Sequence, residues 1–215
     1  MQLVGLHGFA TDSRIWHFQD LDLAPNINFY DIESESLKLA SYLNPDSILV
    51  GWSMGGMVAI RTAVLGKDKI KALVLVSTTP KFVRSGDCDF GLPEVLIQRL
   101  IKKIKNEGVG AFHSLIFKND RPEGLVDVPA QQAKKEMEAL AKLDLRDLLP
   151  EIKIPTLIIH GSKDEICLPA AAKYMHKMIP NNEVIILEGI GHAPMIEAPG
   201  LFNFQLQCFI QKYVQ

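Results

Sequence analysis

The chain has little of what would commit a protein to a disulfide framework, a metal, a membrane or a nucleic acid. It holds three cysteines, Cys88, Cys167 and Cys208, an odd number with no C-x-x-C spacing. Reduced thiols in a cytoplasmic protein are therefore expected rather than disulfides. No two His or Cys residues stand at ligand spacing on one element, so neither a metal nor any other cofactor is expected. No apolar run reaches the roughly 18 residues of a membrane helix, and the opening residues carry no basic leader, so no membrane association is expected. The net charge of −2 leaves no global basic field for nucleic acid.

What is present is globular. The 215 residues are 47% hydrophobic and 22% charged, enough apolar material and length for one substantial core. Residues 3–6, 47–52, 70–76, 154–161 and 183–187 are short apolar runs that read as buried strands, and 27–30 is a weaker candidate. Residues 34–43, 55–65, 170–178 and 201–214 have helical periodicity, with Gly66 placed to cap the second of these. Apolar strands alternating with amphipathic helices predict an α/β fold with a mostly parallel sheet covered on both faces. Ligands bind such sheets beyond the carboxyl ends of the strands. The alternation fails between Pro80 and Pro150, where 92–106 and 131–149 are helical with no strand between. This predicts a core of residues 1–80 and 151–215 with a helical cap, 81–150, over the strand ends.

Chemistry concentrates at Gly51-Trp52-Ser53-Met54-Gly55. Here G-x-S-x-G joins an apolar strand directly to a helix, the setting of a nucleophile elbow. So sharp a turn needs small residues at −2 and +2, and it holds the hydroxyl above the sheet at a helix N-terminus. A serine hydroxyl needs a general base, and the base needs an orienting carboxylate. Following the order serine, acid, histidine, the acid is Asp164, just after the 154–161 strand, with Glu165 as its neighbouring rival. The base is His192, in Gly189-Ile190-Gly191-His192-Ala193-Pro194 past the 183–187 strand. His7 and His160 precede glycines at strand ends and read as loop-shaping, while His17, His113 and His176 have no strand-end setting. The main-chain N–H groups of Met54 and Phe9 are the expected oxyanion donors.

These residues resemble the α/β-hydrolase superfamily over nearly the whole chain. Within it, Gly51-Trp52-Ser53-Met54-Gly55-Gly56-Met57-Val58-Ala59 is similar to the G-W-S-L-G-G-L-V-A of the pimeloyl-[acyl-carrier-protein] methyl ester esterases of biotin synthesis. Ser77-Thr78-Thr79-Pro80 with Phe82, Asp144-Leu145-Arg146, and His192-Ala193-Pro194-Met195-Ile196 with Pro199 resemble further segments of that group. The group has two strands before the His-Gly loop and a D-x-P-G-x-G-x-S loop after the next strand. Here Asp31-Ile32-Glu33 runs almost at once into a helix, so the sheet is expected to be shortened at its N-terminal edge.

The resemblance implies a serine carboxylic-ester hydrolase cleaving the methyl ester of a pimeloyl chain on acyl carrier protein, without a cofactor. It implies that Phe9, Trp52, Met54 and His192 line the substrate pocket. Phe112-His113-Ser114-Leu115-Ile116 is similar to a substrate-contacting stretch of the group, although its apolar members also read as cap packing. The cap also carries a basic run, Arg99, Lys102, Lys103, Lys105, Lys118 and Arg121. That run is either a solvated face or a docking surface for the acidic carrier protein. A broad short-chain carboxylesterase acting on small esters, a hydrolase of carbon–carbon bonds or lactones, and a non-enzymatic ligand-binding receptor are the alternatives.

Overall fold

The computed structural model describes residues 1–117, 122, 123, 125 and 127–213. Five strands, β1 (Gln2–Leu6), β2 (Ser47–Trp52), β3 (Ile70–Val76), β4 (Thr156–Gly161) and β5 (Asn182–Leu187), form one parallel sheet in the order β1-β2-β3-β4-β5. Every residue of β2 and β4 is buried, which explains their lack of polar alternation. The connecting helices are α1 (Ile32–Tyr42), α2 (Met54–Leu65) and α6 (Pro169–Met178), and the sheet is followed by α7 (Pro194–Glu197) and α8 (Pro199–Tyr213). Right-handed crossovers that always step in one direction put α1, α2 and α6 on one face. A Cβ on Gly51 would point at Ala59 of α2, whereas one on Gly5 would point at Trp16. Leu6 pairs with Gly51, so Gly5 looks to the other side of the sheet. Trp16, in the 3₁₀ turn Ser13–Trp16, and Phe202 of α8, 6.4 Å from it, cover that second face.

The edge at β1 is covered. Leu3 N–H donates to Asp22 Oδ2 at 2.6 Å and Gly5 N–H to Leu23 O at 2.9 Å. Leu23 makes a single parallel bridge to Val4. Residues 21–24 thus satisfy the outward amides that an open edge would leave exposed.

The strand expected at 27–30 does not form. Ile27 N–H is taken by His7 Nε2 at 2.8 Å, Tyr30 N–H by Asn28 Oδ1, and Asp31 caps α1 through Ser34 N–H. With those amides bound to side chains, no ladder is available. Gly66 does end α2, at φ −108 rather than in the left-handed region.

Between β3 and β4 lie α3 (Glu94–Glu107), α4 (Gly110–Phe117) and α5 (Ala130–Lys142). The helix expected over 131–149 ends at Lys142, and Arg146–Glu151 is a separate 3₁₀ turn. Asp144 breaks it, bridging to Lys81 at 2.8 Å and holding Arg146 through both carboxylate oxygens, at 2.8 and 2.7 Å. The Arg146 and Lys81 hydrogen bonds hold the Asp144 carboxyl well below the usual carboxylate range, against its partial burial. With Leu145 N–H on Pro80 O, this cluster ties together the two ends of the inserted segment. One apolar cluster runs from the sheet through Ile97, Ile104, Phe112, Ile116, Met137 and Leu140 of the insertion.

Candidate active site

The site begins at the junction of β2 and α2. Ser53 occupies φ 54, ψ −122, a left-handed conformation that a non-glycine residue adopts only when its surroundings impose it. Crowding explains the flanking glycines. A Cβ on Gly51 would lie 2.6 Å from Gly55 O, and one on Gly55 would lie 2.3 Å from both Leu6 O and His7 O. Gly55→Ala is therefore expected to cost about 3 kcal/mol, the upper end for overpacking. For a domain of this size that is a fall of about 6–12 °C in the thermal midpoint. A midpoint equal to that of the parent would mean that β1 and α2 do not meet there.

Three separated segments converge on the serine. His192 Nε2 lies 3.0 Å from Ser53 Oγ, and His192 Nδ1 lies 2.8 Å from Asp164 Oδ2. The carboxylate sees two imidazoles, because His160 Nε2 is 3.2 Å from the same oxygen. Its other oxygen, Oδ1, accepts the Ile166 and Cys167 amides at 2.9 and 3.0 Å. Burial alone would push this carboxyl up. The two imidazoles outweigh burial and hold it below the usual carboxylate range. Asp164 is thus an acceptor saturated with donors. Glu165, the rival acid, is exposed at the rim of a groove.

The His192 main chain is mounted from both sides. Glu197 accepts Gly191 N–H on one carboxylate oxygen at 2.8 Å and Ala193 N–H on the other at 3.0 Å. Trp52 Nε1 donates to His192 O at 2.7 Å. Trp52 was expected at the pocket wall; fully buried, it lines neither cavity near the serine and instead backs the histidine. Its indole must place an N–H when buried, and the His192 carbonyl is where it goes.

Two spaces meet beside the triad. A narrow cavity of about 10 Å³ is walled by Phe9, Ser53, Met54, Thr79, Phe82, Phe112, Met137 and Leu140, among others. An open apolar groove of about 330 Å³ runs past His192 between Leu96 and Leu100 of α3 and Leu115 and Ile116 of α4, with Arg99, Lys103 and Lys163 beside it. Ile166 lines both. Met54 opens α2, so its N–H has no intrahelical partner. The Gly8–Phe9 peptide is fixed from its carbonyl, which accepts Thr11 Oγ1 at 2.9 Å and faces His7 Nδ1 at 2.9 Å. Burial pushes the His7 imidazole down, and because its Nε2 accepts Ile27 N–H, its Nδ1 carries the hydrogen that Gly8 O receives.

The remaining expected residues divide. Phe112 walls the cavity and Leu115 and Ile116 the groove, but Ser114 is exposed and bonds back to Gly110 O within its own helix. His113 reaches neither space: its Nε2 lies 2.6 Å from Ala10 O. Arg99 and Lys103 line the groove, while Lys102 and Lys105 are exposed elsewhere on α3. Lys118 and Arg121 lie outside the described residues. Met57, Met137, Leu140 and Cys167 complete the cavity wall without having been singled out from sequence. Burial pushes the Cys167 thiol well above its ordinary range, with the Asp164 charge adding to it, so it stays protonated beside the serine.

Residues 3–203 match the alpha/beta hydrolase family, and the chain belongs to that family. Over 93% of its length it is 25% identical to the pimeloyl-[acyl-carrier protein] methyl ester esterase of Nitrosospira multiformis, covering 90% of that protein. It is 28% identical to the esterase of the same name from Wigglesworthia glossinidia brevipalpis, over 99% of this chain and 95% of that one. Its fold superposes on an esterase from Exiguobacterium antarcticum with a TM-score of 0.82 at 23% identity, covering 98% and 92% of the two chains.

Proposed function

We propose that the protein is a carboxylic-ester hydrolase in which Ser53, His192 and Asp164 act as nucleophile, general base and orienting acid. The observation that carries this reading is the unbroken run of contacts from Asp164 Oδ2 through the imidazole to Ser53 Oγ, at 2.8 and 3.0 Å, opening on a cavity. His192 takes the Ser53 proton as Oγ attacks the ester carbonyl, and the oxyanion is held by the Phe9 and Met54 amides. The carbon–oxygen bond to the alcohol breaks as His192 returns the proton to it. Water then attacks the acyl-enzyme with His192 as base again, releasing the acid and regenerating Ser53.

The substrate is a methyl ester at the end of a long acyl chain whose far end is held by acyl carrier protein. Residues 81–150 serve as the cap over the site. A long acyl chain needs the roomier space, so it occupies the groove, while the narrow cavity beside Ser53 leaves room for little beyond a methoxy group. The positive charge of Arg99 and Lys103 at the groove, which Lys102 and Lys105 extend along α3, supports an acidic carrier as the partner. The names of the similar esterases support this substrate. A fluorophosphonate probe is expected to label Ser53 in the folded protein. Methyl pimeloyl-carrier protein is expected to be cleaved with a higher kcat/KM than p-nitrophenyl acetate. Labelling with fast turnover of the small ester alone would favour the broad short-chain carboxylesterase, and no labelling would remove the hydrolase reading altogether.

A further inference from the structure

One buried titratable side chain of the inserted segment takes no part in the chemistry above and yet reaches into the core. His113 of α4 is 1% exposed, and its Nε2 stands 2.6 Å from the carbonyl oxygen of Ala10. A carbonyl can only accept, so Nε2 carries a hydrogen and donates it. Nδ1, on the far side of the ring, lies 4.0 Å from Asp127 Oδ1.

The residue it grips is unusual. Ala10 has φ 54, a left-handed conformation with no glycine to relieve it. It directly follows Phe9, the residue proposed above as an oxyanion donor. The Phe9 ring meets Phe112, the neighbour of His113, edge-on at 5.0 Å and 73°. Helix α4 therefore holds this loop twice, by a ring at Phe9 and by a hydrogen bond at Ala10. The Gly8 carbonyl, held by Thr11 and His7, fixes the near side of the Phe9 peptide, and α4 holds the far side at Ala10.

We propose that His113 is a positioning residue for the oxyanion hole: through the Ala10 carbonyl it keeps the loop in its left-handed turn and the Phe9 N–H aimed at Ser53. The proposal rests on the reading of Phe9 as an oxyanion donor. Leu115 and Ile116 of the same helix line the groove, so a chain seated there packs against the element that completes the hole. Substrate binding on one side of α4 and charge stabilisation on the other are thereby joined.

The test compares His113→Leu, which keeps the bulk and removes the donor, with His113→Gln, which offers an amide N–H in its place. p-Nitrophenyl acetate serves as substrate because it is too short to fill the groove. His113→Leu is expected to slow single-turnover acylation by about 10²-fold with little change in KM, the scale of a displaced or lost oxyanion donor. His113→Gln is expected to restore most of that rate. The Ala10 Cα and Cβ chemical shifts, which report its backbone conformation, are expected to leave their left-handed values in His113→Leu and to keep them in His113→Gln. Unaltered acylation in His113→Leu, or an effect confined to the KM of long-chain esters, would overturn the proposal, as would Ala10 shifts that do not respond. Ala10 shifts that move without any change in acylation would overturn it through its premise, by removing Phe9 as an oxyanion donor while leaving the grip on the loop standing.

Discussion

Ser53→Ala is expected to lower kcat for ester hydrolysis by about 10⁶-fold, the loss typical of removing the nucleophile from such a constellation. The substitution removes one atom whose hydrogen-bond partner is the imidazole at 3.0 Å. Alanine carries the same Cβ as serine, so it meets the same left-handed φ of 54 that the elbow already imposes. The packing of Gly51 against α2 and of Gly55 against β1 is untouched, and the fold is expected to survive. The oxyanion donors and the cavity also remain, so activity somewhat above the uncatalysed rate should persist, on the order of 10³-fold. Circular dichroism and thermal unfolding matching the parent, together with the missing turnover, would place the loss in the chemistry. A folded Ser53→Ala protein with the parent's kcat would end the reading of Ser53 as nucleophile.

The fold was legible wherever burial alone fixes structure. Strands β2 and β3 occupy 47–52 and 70–76, the bounds that their largely apolar runs mark out, because β2 is buried throughout and β3 everywhere but at Lys71, which leaves no solvated face to add ambiguity. Reading failed where side chains compete for the backbone. Residues 27–30 are apolar enough for a strand, but His7 and Asn28 take the amides of Ile27 and Tyr30, and the acceptor in one case comes from 20 residues away. The inserted segment shows the same effect: its second helical pattern breaks at Asp144, whose carboxylate is engaged by Lys81, a partner 63 residues distant. Helix α4 went unread because Gly108, at φ 79, restarts the chain in a new direction after α3.

At the site, residues that act through their own local motif could be named from spacing, and residues that act through a distant contact could not. Ser53, Asp164 and His192 each follow a strand in the expected order, and the structure brings the three together. Glu197 could not be read this way. Its two oxygens reach the amides on either side of His192 only because α7 turns at Ala193, and an isolated Glu five residues past a histidine carries no signal. Trp52 shows the converse case. The family resemblance implies a pocket wall, but the fully buried indole spends its N–H on the His192 carbonyl behind the site.

Asp164→Asn is expected to lower kcat by about 10⁴-fold, and the arrangement of donors around the carboxylate dictates why. Oδ1 accepts two main-chain amides, from Ile166 and Cys167, that cannot turn away. The asparagine carbonyl oxygen must therefore take that position, which leaves its NH₂ group where Oδ2 stood. There it faces His192 Nδ1 and His160 Nε2, which now donate to Oδ2 from 2.8 and 3.2 Å. A donor set against Nδ1 selects the imidazole tautomer with its hydrogen on Nε2, and that nitrogen can no longer accept the Ser53 proton. His160 has less freedom to adapt, since its Nε2 also lies 2.6 Å from Cys167 O and needs a hydrogen there. The predicted signature is a large fall in kcat with KM nearly constant, because neither the groove nor the cavity changes shape. A far-downfield proton resonance from the His192–Asp164 contact is expected in the parent, given its 2.8 Å length, and is expected to be missing in the same variant. If Asp164→Asn kept its rate within tenfold of the parent, the imidazole would be oriented by another group, and Glu197→Gln would be the next substitution to examine.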